Sequence, residues 1–297
     1  MDFQSLKSIQ LDDIYWLMKF GRPKRKGTIY DLRQACFTNI RAPVFFLSTG
    51  RCGTQWFSRL LSKDRSLKVL HAPQPSLACQ GRLAYERLQQ NATAKEKALI
   101  REIYLSGRET HLRYAYKCSK KLVETNNYIT FFAPVLKELF PHAKFIHIHR
   151  HPGEFVRSGI NRGYYTAVRK DDMKRILPLF GEDREKWPDY SQIRKISWLW
   201  RATNEFVEDF KAHLDNERIL TIDFNALTPE RVYETARFIG AGITLASIRR
   251  DFYKKVNRQK TTIKSPFDQW DQMEKQEVLS MAGDLAHKYG YKIMQKS

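Results

Sequence analysis

Short apolar runs that end in glycine- or proline-punctuated turns, each followed by helical spacing, predict an α/β fold with a three-layer, mostly parallel sheet flanked by helices. The runs within residues 42–47 and 143–149 are near-continuous rather than alternating, as strands covered on both faces are. The turns that follow, residues 48–54 and 150–153, fall at strand carboxyl ends, where open parallel sheets hold their ligands.

The elements follow in order. Residues 1–40 read as an appended arm, with an amphipathic segment at 11–20 and a basic turn, Arg22-Pro23-Lys24-Arg25-Lys26. That turn is either a solvated loop or a contact with an anionic surface such as the periphery of a membrane. Residues 41–297 read as one α/β domain. Its first strand ends at Leu47, and Trp56, Phe57, Leu60 and Leu61 carry the helix after the turn. Residues 67–71 read as a second strand, closed by Ala72-Pro73-Gln74-Pro75. A helix is expected over 82–105, a strand over 112–117 and a helix over 129–140. A strand over 143–149 leads to Arg150, with a helix from about Glu154. A long helix over 193–213, a strand over 218–223 and a helix opened by Thr228-Pro229 complete the pattern, with a last helix near 272–289. Segments 76–110 and 160–195 are poorly patterned and read as insertions that form an acceptor pocket.

Composition narrows the function. The 297 residues are 42% hydrophobic and 13% aromatic, enough for a core and contrary to disorder. Fifty-two Lys and Arg against 32 Asp and Glu leave a net charge of +20, which suggests an anionic partner or simply a solvated basic surface. No run approaches the ~20 apolar residues of a membrane span. The opening segment has acids and no apolar stretch, unlike a secretory signal. Cys36, Cys52, Cys79 and Cys118 form no C-x-x-C pair, so a reduced, cytoplasmic setting is expected, with a luminal domain separated from its anchor as the alternative.

Two motifs carry chemistry. In Ser48-Thr49-Gly50-Arg51-Cys52-Gly53-Thr54-Gln55, the glycines let backbone amides converge on an anion at a helix N-terminus, and Arg51 adds a fixed charge. It is not a Walker A loop, because Gly53 stands where that loop has its Lys; a plain tight turn is the other reading. In the second motif, Arg150 ends a strand, Pro152 opens a helix and Ser158 lies about two turns along it. A forked charge and a hydroxyl from two elements can thus hold one phosphate.

In this order and at this separation, the two motifs resemble the sulfotransferases that use 3′-phosphoadenosine 5′-phosphosulfate (PAPS). Residues 218–227, the helix ending Phe238-Ile239-Gly240 and the closing Lys288-Tyr289-Gly290-Tyr291 are similar to that family's late elements. The resemblance spans about residues 42–292 and implies a P-loop-like sulfotransferase fold. It implies that the stretch Arg51, Cys52, Gly53, Thr54 and Gln55 holds the 5′-phosphosulfate, and that Arg150 and Ser158 hold the 3′-phosphate. It also implies a late basic loop over that phosphate, for which Arg258 and Lys260 are the candidates, although no Arg-Lys-Gly triplet is present. Cys52 replaces the serine that many members carry.

The implied reaction moves a sulfuryl group from PAPS to the hydroxyl of a glycan, lipid or small molecule. It leaves 3′,5′-adenosine bisphosphate (PAP) and requires no metal. His71, at a strand end and with an ordinary pKa near 6.5, is the expected base, with Glu124 in reserve. Lys117, at the end of the strand expected over 112–117, would stabilise the transferring group. His147, His149 and His151 lack the partners of a metal site, and Trp198, Trp200, Phe206 and Phe210 have the spacing of a core face. Arg157, Arg162, Arg169, Lys170, Lys174 and Arg175 favour an anionic acceptor. The competing readings are a P-loop-type small-molecule kinase, which lacks its Gly-Lys-[Ser/Thr], and a basic nucleic-acid-binding protein, which lacks a reader motif; no nucleic-acid partner is expected.

Overall fold

The computed structural model describes residues 39–166, 170–253 and 263–293. Five strands, β1 (Val44–Leu47), β2 (Leu67–Leu70), β3 (Lys121–Glu124), β4 (Lys144–His149) and β5 (Ile219–Asp223), form one sheet in the order β2-β3-β1-β4-β5. Every pairing is parallel, as the strand–helix alternation requires. The helices are α1 (Thr54–Leu61), α2 (Ala78–Gln89), α3 (Ala94–Lys117), α4 (Ala133–Leu139), α5 (Pro152–Ile160), α6 (Gly181–Glu185), α7 (Gln192–Lys211), α8 (Pro229–Ile239), α9 (Leu245–Phe252) and α10 (Gln272–Lys288). None among the described residues is long and apolar enough to cross a membrane.

The strands divide the apolar residues between two layers. Phe45, Leu47 and Phe145 join a large core with α2, α3, α4, α5, α7 and α10. Val44, Phe46, Ile146, Ile148 and Ile222 join a smaller one with α1, α8 and α9. This period-two division of strands buried on both faces makes the predicted three layers. Trp198, Trp200, Phe206 and Phe210 are buried in the large core, as their spacing indicates.

The sequence reading is corrected between residues 78 and 140. The single helix expected over 82–105 is two helices, broken where Asn91 turns to φ +58°. Thr93 then opens α3 with a capping box to Glu96. Ala84, Tyr85, Ile100, Tyr104 and Leu105, within the segment read as an insertion, belong to the large core. Residues 112–117 are the last turns of α3, not a strand: Leu105, Arg108, Leu112 and Ala115 keep three- and four-residue spacing on its buried face. The strand comes later, over Lys121–Glu124. The helix expected over 129–140 is a 3₁₀ segment, Asn127–Phe132, followed by α4.

Lys117 therefore ends a helix at the amino edge of the sheet. There Ser119 accepts from Arg41, just ahead of β1, and the Lys121 amide bonds Ser66, just ahead of β2. That edge is opposite the carboxyl ends where ligands gather. The arm before residue 39, Arg169 and the basic loop of Arg258 and Lys260 lie outside the described residues.

Candidate functional site

At the carboxyl edge, β1 runs into a turn tied at its root. The Ser48 amide donates to the Thr130 hydroxyl, which donates back to the Ser48 carbonyl, each at 3.0 Å. The backbone then passes through positive φ at Gly50 (+78°), Arg51 (+59°) and Gly53 (+78°). Gly53 has a steric reason as well: a Cβ there would lie 2.2 Å from the Phe224 ring. Gly53 leads into α1 with no side-chain cap, and no acid stands in the first turn, so this helix N-terminus would favour a negative charge. Cys52 turns its side chain into the smaller core and donates to the Gly50 carbonyl at 3.1 Å. Burial pushes its thiol up to about 11, so only the Cys52 backbone is free to face a ligand.

Beside this turn, β4 delivers Arg150. The Trp200 indole donates to its carbonyl at 2.8 Å, anchoring the residue to the large core. The Arg150 guanidinium donates to the Arg51 carbonyl and to Glu154, each at 3.2 Å, and lies 5.5 Å from the Phe224 ring centre. Arg51 in turn donates through Nε to the Ser158 hydroxyl at 3.0 Å. The two sequence motifs thus meet, and Arg51, Arg150, Ser158 and the Gly53–Gln55 segment form one constellation.

Arg162 belongs with them. Burial lowers the proton affinity of the Arg51 guanidinium, and the neighbouring charges of Arg162 and Arg150 lower it further. The Nε atoms of Arg150 and Arg162 are both buried without a hydrogen-bond partner. Glu154 is the carboxylate that pairs with Arg150, and it also accepts from Arg157 at 3.3 Å. Three guanidiniums, two with orphaned donors, make a cradle that suits phosphate or sulfate and fits the implied nucleotide. Sequence reasoning placed Arg162 with the acceptor; its position four residues past Ser158 was the available signal. The other members of that basic cluster differ: Arg175 lies on the Tyr164 ring, 3.2 Å from its centre, and pairs with Asp172, while Arg157 donates to the Lys264 carbonyl.

His71 follows β2 at the same edge, half-buried, with Nδ1 3.0 Å from the Thr125 hydroxyl oxygen. Burial lowers its pKa below the usual 6.5, and its bond to the Thr125 backbone offsets part of that. Glu124 is unsuited to the reserve role. Its carboxylate is fully buried, takes both Nε and Nη2 of Arg108 at 2.7–3.0 Å, and accepts from Tyr104 at 3.1 Å. Arg108 also donates to the Pro75 carbonyl at 2.7 Å, bracing the turn after His71.

His147 and His149 lie inside the sheet layer, bonded to Asn204 at 3.0 Å and to Tyr291 at 2.8 Å; His151 meets the Lys292 carbonyl at 3.1 Å. Among the described residues no three His, Cys, Asp or Glu are grouped to hold a metal ion. Lys117, at the opposite edge, is not brought to this site.

The sulfotransferase family model matches residues 43–240, two thirds of the chain and both motifs. Similar solved structures include the sulfotransferase domain from the curacin biosynthetic pathway, at 14% identity over 85% of this chain and 99% of that one, with a TM-score of 0.49. A sulfotransferase from Alicyclobacillus acidocaldarius gives 14% identity over 85% and 97%, with a TM-score of 0.49. One from Mycobacterium tuberculosis H37Rv gives 15% over 85% and 81%, with a TM-score of 0.47. The curated proteins contain no match.

Proposed function

We propose, from the premise that the chain belongs to the sulfotransferase family, that it transfers a sulfuryl group from PAPS to the hydroxyl of an acceptor. The observation that carries this reading is the meeting of Arg51, Arg150 and Ser158 at a glycine turn ahead of a helix N-terminus, with the buried Nε of Arg150 left unpaired. A polyanion with charge at two separated positions suits that arrangement better than a single phosphate does.

The backbone of Gly50–Gln55 and the Arg51 side chain would hold the 5′ end of the nucleotide, and Arg150 and Ser158 its 3′-phosphate. Arg162 adds positive charge near Arg51. Bound there, the nucleotide supplies a sulfuryl group already attached to a good leaving group. The α1 amides and Arg51 stabilise negative charge on the departing phosphate, which is electrostatic preorganisation. His71 accepts the acceptor's hydroxyl proton as its oxygen bonds to sulfur. The acceptor is thus a hydroxyl compound that reaches His71 from the carboxyl edge.

Calorimetric titration with PAP tests the reading without any acceptor. Binding is expected, and Arg150→Ala should weaken it by about 1.5–3 kcal/mol, the scale of a hydrogen bond to a charged group. A folded chain that binds no PAP would overturn the proposal.

A further inference from the structure

We infer that Thr125 is a positioning residue that sets the tautomer of His71, holding the ring proton on Nδ1 and leaving the basic lone pair on Nε2. The inference rests on the reading of His71 as the base and adds the group that orients it.

Three contacts define the geometry. Thr125 directly follows β3 and is fully buried; β3 pairs with β2 in the register Leu70↔Glu124, so Thr125 stands beside His71. Its amide donates to the Leu70 carbonyl at 2.8 Å, and its hydroxyl donates to the same carbonyl at 3.2 Å. A hydroxyl has one proton. With that proton on Leu70, the oxygen 3.0 Å from His71 Nδ1 can only accept, and the ring must donate.

A neutral imidazole held this way has one basic nitrogen left, Nε2. In turnover the acceptor's proton moves to Nε2 as its oxygen bonds to sulfur. The electron pair of the breaking S–O bond stays with the phosphate of PAP, and the proton on Nδ1 stays there throughout, donated to the Thr125 hydroxyl oxygen. Nε2 then returns its proton to solvent.

The sequence hides this signal, because its pattern suggests a strand over 112–117 rather than the one at 121–124. Once β3 is placed, a hydroxyl residue stands one position past its end, beside a histidine one position past the end of β2.

Nitrogen-15 NMR of the full chain labelled at histidine tests this without an acceptor, with His71→Gln identifying the ring's signals. At a pH where the ring is neutral, Nδ1 should show the protonated-type shift and Nε2 the unprotonated type. Thr125→Val, close in shape, should move the tautomer ratio roughly tenfold toward Nε2–H, the scale of one lost hydrogen bond, and Thr125→Ser should restore it. PAP affinity should stay within twofold in both variants, since neither touches the arginine cradle. A neutral wild-type ring with its proton on Nε2, or a ratio that does not respond to Thr125→Val, overturns the inference. The His71 base reading fails separately, if His71→Ala releases PAP from PAPS at the wild-type rate in the presence of acceptor.

Discussion

The Arg51 guanidinium donates to the Ser158 hydroxyl at 3.0 Å, across 107 residues of chain. It joins the turn after β1 to the helix after β4, so the two ends of the proposed nucleotide site share a side chain.

Coupling between these residues should be measurable. Arg51→Ala and Ser158→Ala should each weaken PAP binding, and the double variant should lose less than the sum, by about 0.5 kcal/mol or more. Isothermal titration of the four proteins closes the cycle. Additive losses would show that the bond gives way when the anion arrives.

Gly53→Ala should destabilise the fold by about 2–4 kcal/mol, because it adds left-handed strain and an overpacked contact. The Cβ would meet Phe224, the ring beside Arg150, so PAP affinity should fall as well. Adding Phe224→Leu should recover part of the stability but not the strain at φ +78°. Urea denaturation separates the two; a Gly53→Ala protein as stable as wild type would contradict the steric account.

Glu124→Gln leaves Arg108 buried and unpaired in charge, and should cost about 3–5 kcal/mol. Below its denaturation midpoint the variant should still bind PAP, because Glu124 touches none of the arginine cradle. A change in stability under ~0.5 kcal/mol would mean that the pair is not formed in solution.

Stability should also fall in mild acid. Burial holds His147 down to about 3 and His149 down to about 4, each from 6.5. The unfolded chain takes up protons on these rings as pH drops through 6.5, while the folded chain does so only near the lowered values. Stability is therefore lost as pH falls from 6.5 toward 4, by about 3 kcal/mol for His149 alone. His149→Gln should flatten the pH dependence of the urea midpoint across that window. An unchanged slope would mean that the ring is already protonated in the folded chain.

Strand ends were the most readable part of the sequence because glycine and proline punctuate them. Leu47, Leu70 and His149 end their strands where the turns at 48–54, 72–75 and 150–153 begin. Helix α3 was misread for a non-local reason. Its inward face includes Arg108, whose burial makes sense only with Glu124, a partner 16 residues away on a strand not yet assigned. Leu112 to Lys117 alternate well enough to imitate a strand, a reading that puts Lys117 at the wrong edge of the sheet. Ser158 and Arg150 were found by their positions relative to Pro152, but the Arg51–Ser158 bond depends on β1 lying beside β4. Periodicity says nothing of that pairing.

Arg51 stands at φ +59° and is not a glycine, so its backbone is held in a conformation that the free chain avoids. That conformational cost is met during folding, by the Ser48–Thr130 clasp at the root of the turn and the Arg150 bond to the Arg51 carbonyl. An arriving anion then meets amides that are already aligned, and little loop entropy remains to be lost. The cradle is preorganised, so its affinity should depend more on how fast ligand leaves than on how fast the loop can close.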